Sequence, residues 1–182
     1  MSQSNSDDIS AVLDGYRVVC YPDPVLGRKA KPIEEIDDEV RRRAAEMIEI
    51  MHETRGVGLA GPQAGWSARI VTLNTTGEPD GDAVFINPEI TSSAGEETDE
   101  EGCLSLPGIQ AKISRAAQVE VRAYDLDGQE VNIKTDGLLA RAWQHETDHL
   151  DGVLILDRMS PAARLVNRRR LKELEAAHKE RG

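Results

Sequence analysis

Residues 144–152 read Gln-His-Glu-Thr-Asp-His-Leu-Asp-Gly, placing His145, Glu146 and His149 in a His-Glu-x-x-His pattern. Residues four apart share one face of a helix, so the spacing predicts a helix with two imidazoles side by side. Such a pair can grip one metal ion, and Glu146 then stands beside the ion's water, able to move its proton. Only four histidines occur in the chain, and two fall at this spacing around a glutamate. A solvated polar helix with incidental histidines is the plain alternative, and the rest of the chain argues against it.

A catalytic site of this type takes three protein ligands and keeps one position open. The run continues to Gly152, as in metzincins, but Ile155 stands where their third His belongs. A thermolysin-like site would need a downstream Glu; Glu173 and Glu175 lie in a charged segment that reads as solvent-exposed. Cys103, within Glu101-Gly102-Cys103-Leu104-Ser105-Leu106-Pro107, is the better candidate, since a thiolate and two imidazoles make a three-ligand set. Cys20, in Val-Val-Cys-Tyr, reads instead as a small buried hydrophobe. Gly56–Gln63 is rich in small residues and carries a Pro, which suits a loop whose backbone approaches something closely. Its Gln63 amide can donate to a developing oxyanion. No Lys-Ser/Thr follows, so it is not a phosphate loop.

Together these three segments resemble peptide deformylase. That family carries Gly-x-Gly-Leu-Ala-x-x-Gln, Glu-Gly-Cys-Leu-Ser and Gln-His-Glu-x-x-Asp-His-Leu-x-Gly in this order, and the resemblance runs from about Val18, through Tyr21–Leu26, to the final helix. Gly61 stands where many members carry Ala. The resemblance implies hydrolysis of the N-formyl group from formyl-methionine at the start of new bacterial polypeptides in the cytoplasm, releasing formate. It implies Cys103, His145 and His149 as ligands of one divalent ion, iron(II); the donor set alone equally admits zinc, nickel or cobalt. It implies Glu146 as proton carrier, with Gln63 and the backbone N–H of Leu104 stabilising charge on the formyl oxygen. Gly58 and Gly102 would let the peptide backbone approach as an added strand. Val57, Leu138 and His145 would line the methionine pocket, with Arg141 and Ala142 nearby. Two other readings stay open: a metalloprotease that cuts internal bonds, and a non-catalytic metal-binding relative, which would need neither Glu146 nor Gln63.

A length of 182 residues suits one catalytic domain over 1–182, and 39% hydrophobic with 30% charged residues indicates a soluble globular chain. No apolar run approaches a membrane span, and the polar, acidic N-terminus resembles neither signal nor transit peptide. The two cysteines do not suggest a disulfide, and a metal thiolate points to a reducing compartment. A net charge of −11 argues against specific DNA binding. Residues 158–182 nevertheless hold eight Lys and Arg against three Glu. Arg164, Arg168, Lys172 and Lys179 fall near one helix face, which raises docking on the phosphate-rich ribosome as an expectation.

The expected architecture is α+β, with antiparallel strands around a central metal-bearing helix and a C-terminal helix. Residues 1–10 read as disordered. Asp37 and Asp38 open a helix to about Thr54, with Val40, Ala44, Met47, Ile48 and Met51 on its buried face. Strands are expected at Arg69–Leu73, Ala83–Asn87, about Val119–Ala123 and Glu130–Lys134, with turns at Thr76–Asp82 and Asp125–Gly128. The acidic run Glu96, Glu97, Asp99, Glu100 reads as a solvated loop, Glu101 excepted. The motif helix should start at Asp136-Gly137, bury Leu138, Ala142, His145 and His149 on one stripe, and end before Gly152. Val153–Leu156 reads as a strand, and Ser160-Pro161 opens a helix over 160–179.

Overall fold

Asp37 starts the first helix, α1 (Asp38–Glu53), its carboxylate accepting from the Val40 N–H at 2.9 Å. The structure is a computed structural model that describes residues 17–181, so the disorder expected in 1–10 lies outside the described residues. Val40, Ala44, Met47, Ile50 and Met51 form the buried face of α1, while Ile48 is only half-buried beside them. After Thr54 the chain reverses: Arg55 takes φ 54° and the Gly56 N–H returns to the Met51 carbonyl at 2.9 Å. Glycine usually fills such a left-handed closing position, and another residue there costs roughly 1–2 kcal/mol.

The main sheet is antiparallel and five-stranded, built from β1 (Gly58–Ala60), β2 (Ile70–Leu73), β3 (Ala83–Ala94), β6 (Gln118–Tyr124) and β7 (Glu130–Asp136), in the order β1-β2-β3-β6-β7. A second, two-stranded sheet pairs β4 (Glu97–Gly102) with β5 (Gln110–Arg115). Helix α2 (Gly137–Leu150) packs on the main sheet through Ala140, Trp143 and Leu150, in one apolar cluster with Val71, Leu73, Val119 and Val121. The Trp143 ring meets Phe85 at 4.7 Å. Helix α3 (Ile155–Arg158) leads into α4 (Pro161–Arg181), which buries Leu171, Leu174 and Ala177 with Ile109 and Ile113. No described helix is long and apolar enough to cross a membrane.

Several expectations need correction. The Gly-rich segment approaches its neighbours as closely as expected, but as a strand and a turn rather than a loop. Gly58–Ala60 pairs with β2, and Gly61–Ala64 is one 3-10 turn, because the small residues fit confined space. A Cβ on Gly61 would lie 2.4 Å from the Ala68 carbonyl, so the family's frequent Ala would force the neighbouring turn to move. The acidic run is a strand: Glu97–Gly102 pairs along its length with β5, whose Arg115 meets Glu101 and whose Lys112 stands opposite Glu100. Val153–Leu156 holds no strand, since Leu154, Ile155 and Leu156 are buried by a short helix instead; so brief an apolar run has no readable period. Leu138 is 55% exposed, because it lines the open cleft rather than the core. Glu175 is half-buried and accepts from the Tyr21 hydroxyl at 2.9 Å.

Arg115 ties the small sheet to α2. Its side chain is 2% exposed and donates twice to Glu101, through Nε and Nη2, each at 2.9 Å. Its Nη1 reaches Asp148 of α2 at 2.5 Å, and Arg158 of α3 holds the same carboxylate at 2.5 Å. Arg115→Met would leave Glu101 buried without its main counter-charge, an effect worth roughly 3–5 kcal/mol. Equilibrium urea unfolding of the metal-loaded variant checks this, and a loss below about 1 kcal/mol would refute the buried-ion account.

Candidate active site

Helix α2 carries His145 and His149 one turn apart, with their Nε2 atoms 3.3 Å from each other. Cys103 follows β4 directly, in a turn closed by the Leu106 N–H on its carbonyl at 2.9 Å. That turn brings Cys103 Sγ to 3.2 Å from His149 Nε2, and all three donor atoms lie within 4.8 Å of one another. Two metal–nitrogen bonds at a tetrahedral angle span about 3.4 Å, and a metal–sulfur with a metal–nitrogen bond about 3.6 Å. The donors therefore fit one small divalent ion with a position to spare.

The outer contacts aim these donors. Glu101 Oε2 sits 3.1 Å from His145 Nδ1, which leaves Nε2 facing the other two candidate donors. Burial would raise the Glu101 pKa, but hydrogen bonds from Arg115, His145 and Arg141 hold it well below the usual carboxylate range. Glu146 behaves oppositely. It is 3% exposed, its Oε2 has no hydrogen-bond partner among the described residues, and burial pushes its pKa up to about 7. A carboxyl so tuned can both take and return a proton near neutral pH. A Cβ on Gly58 would lie 2.5 Å from Glu146 Oε1, so the closest approach that glycine permits is to the carboxylate itself. Gln63 is 1% exposed; its Oε1 accepts from the Ala60 N–H at 2.8 Å, which turns its amide nitrogen toward Cys103 Sγ, 3.8 Å away.

These groups meet at a cleft of about 670 Å³. Val57, Gly58, Gly102, Leu138, Arg141 and Ala142 all line it, as do Gln63, Cys103, Leu104, His145 and Glu146. Among the site residues read from the sequence, only His149 lies off this lining, buried behind the others. Val57 and Leu138 stand exposed at the mouth and Ala142 is buried. Arg141 is committed elsewhere, donating to Glu101 at 2.7 Å and to the carbonyls of Ile113 and Glu97, so it clasps the small sheet. Sequence reasoning missed Arg55, Glu100 and the wall formed by Leu106–Gln110. The Pro107-Gly108 pair, with Gly108 at φ 77°, was the available sign that the chain doubles back there.

The family model of polypeptide deformylase matches residues 16–165. The peptide deformylase of Acidobacterium capsulatum is 46% identical over 162 residues, covering 88% of this chain and 95% of that one. That of Dictyoglomus thermophilum is 51% identical over 136 residues, covering 75% and 87%. Among solved structures, Plasmodium falciparum peptide deformylase superposes with a TM-score of 0.87 at 35% identity, over 90% of this chain and 97% of that one. The Legionella pneumophila enzyme superposes with a TM-score of 0.83 at 40% identity, over 89% and 96%. With matches of this extent in both sequence and fold, the chain belongs to the polypeptide deformylase family, metal-dependent hydrolases that remove the N-formyl group from the N-terminal methionine of newly made polypeptides.

Proposed function

We propose that the described residues act as one catalytic unit in which Cys103, His145 and His149 hold the metal and Glu146 moves the proton. The observation that carries this reading is the convergence of one sulfur and two imidazole nitrogens, all within 4.8 Å, next to a buried carboxylate at an open cleft. Iron(II) is the ion the family resemblance implies; zinc, nickel and cobalt suit the same donors. A thiolate ligand favours a reducing compartment, in keeping with the bacterial cytoplasm.

A divalent ion held there supplies Lewis-acid activation of water at neutral pH. Glu146 takes the proton from the attacking water and returns it to the methionine amine as the formyl C–N bond breaks, so that formate leaves. The Gln63 amide and the Leu104 N–H stabilise negative charge on the formyl oxygen, each donor worth about 3–4 kcal/mol of barrier. Strand β1 is an edge of the main sheet, which favours the peptide adding beside it as a further strand. The methionine side chain then enters between Val57, Leu138 and His145, over Ala142.

The basic face of α4 favours a second contact, with the ribosome. Arg164, Arg168, Lys172 and Lys179 are exposed, whereas Arg169 pairs with Glu173 at 2.9 Å and Arg170 donates to the Pro107 carbonyl. With a net charge of −11, the chain needs such a patch to approach RNA phosphates.

Three outcomes test these readings. Glu146→Gln keeps its metal but slows formate release from a formyl-Met dipeptide roughly 10²–10⁴-fold. Near-normal turnover would remove Glu146 from its role. Cys103→Ala loses metal and activity together after anaerobic purification, while Cys20→Ala keeps both; metal counting decides, and the reverse pattern would refute the ligand set. Reversing charge at Arg164, Arg168 and Lys172 lowers ribosome co-sedimentation at low salt without changing dipeptide turnover. Unchanged sedimentation would reduce the basic face to a solvated surface.

A further inference from the structure

We infer that Arg55 selects formylated peptides with an acidic side chain at their third residue, an inference that rests on the cleft reading above. Arg55 is exposed, lines the cleft and makes no side-chain hydrogen bond or ion pair among the described residues. It occupies a left-handed turn at φ 54°, where glycine closes a helix at lower cost. The fold therefore holds a long cation at the cleft rim in a place that local backbone energetics disfavour, and strain of this kind collects at binding sites.

Position along the cleft sets which substrate residue it meets. Gly58 touches Glu146, which fixes the reacting end. Arg55 stands three residues before Gly58 across a turn and a bend, so the two lie within about 10 Å, the span of three extended residues. A peptide that adds antiparallel to β1, with its formyl group at Glu146, runs from Gly58 back toward Arg55, and its third residue comes within reach of the long guanidinium side chain. The other cleft charges do not cancel this one. Glu101 is taken up by Arg115 and Arg141, and Glu100 stands opposite Lys112 across the small sheet. A net charge of −11 otherwise repels acidic peptides, so one unpaired cation at the rim has a local effect out of proportion to its number.

The test compares kcat/KM for formyl-Met-Ala-Glu-amide and formyl-Met-Ala-Gln-amide, in the metal-loaded protein and in Arg55→Gln and Arg55→Gly. The native protein favours the Glu peptide roughly 2–5-fold at low ionic strength, mainly through KM. The preference disappears in both variants, and also in the native protein in about 1 M salt, where the screening length falls to about 3 Å. A native protein with no preference, or a preference that survives in both variants, overturns the role of Arg55 and leaves the deformylase reading intact. Absence of formate from either peptide overturns both.

Discussion

A buried guanidinium organises this molecule. Arg115 sits between Glu101 of the small sheet and Asp148 of α2, almost out of reach of solvent. Burying such charges is expensive, and the cost is offset only when geometry is good and every oxygen is used. Here Glu101 accepts from Arg115 and Arg141 on one oxygen, and from Arg115 and His145 on the other. Once ionised and fixed, it sets the His145 tautomer. The same contact that joins two pieces of the fold thus also aims one of the three candidate metal donors.

Two glutamates a few ångströms from the same imidazole pair are driven in opposite directions. Glu101 has cations on both oxygens and stays ionised. Glu146 is buried without such a partner and rises to about 7. Environments that split like groups in this way divide their labour, one orienting and the other exchanging protons. Helix α2 makes the split possible because its faces differ: Trp143 and Leu150 anchor it in the sheet, Glu146 lies one turn from each on that buried side, and His145 and His149 share a separate face turned toward Cys103. Gly58 adds the space, since any side chain there would displace the carboxylate.

The lining of the cleft is more legible than the architecture. Residue type and spacing single out His145, Glu146, His149, Cys103 and Gln63, which the fold brings together, because metal donors, proton carriers and amide donors each admit few residue types. The limits of α1 and α2 also follow from the Asp37 cap and the Asp136-Gly137 start. Strand β4 is hidden because its residues are mostly exposed and acidic, and only its pairing with β5 makes it a strand. Leu138 departs from the expected buried stripe because helical periodicity gives a face but not whether that face meets the core or an open cleft. Arg115 carried no local sign at all. Its partners lie 14 and 33 residues away, and only the tertiary fold brings them to it.

Cys103 and His149 are 46 residues apart, one beside the small sheet and the other on α2, with β5, β6 and β7 between them in the chain. The three donor atoms come together only where α2 lies against the small sheet. Arg115 and Arg141 fasten that contact, through Glu101 and Asp148, by bonds made entirely within the protein. A fault in this buried ion-pair network would therefore spread the three donors apart even with every donor residue intact.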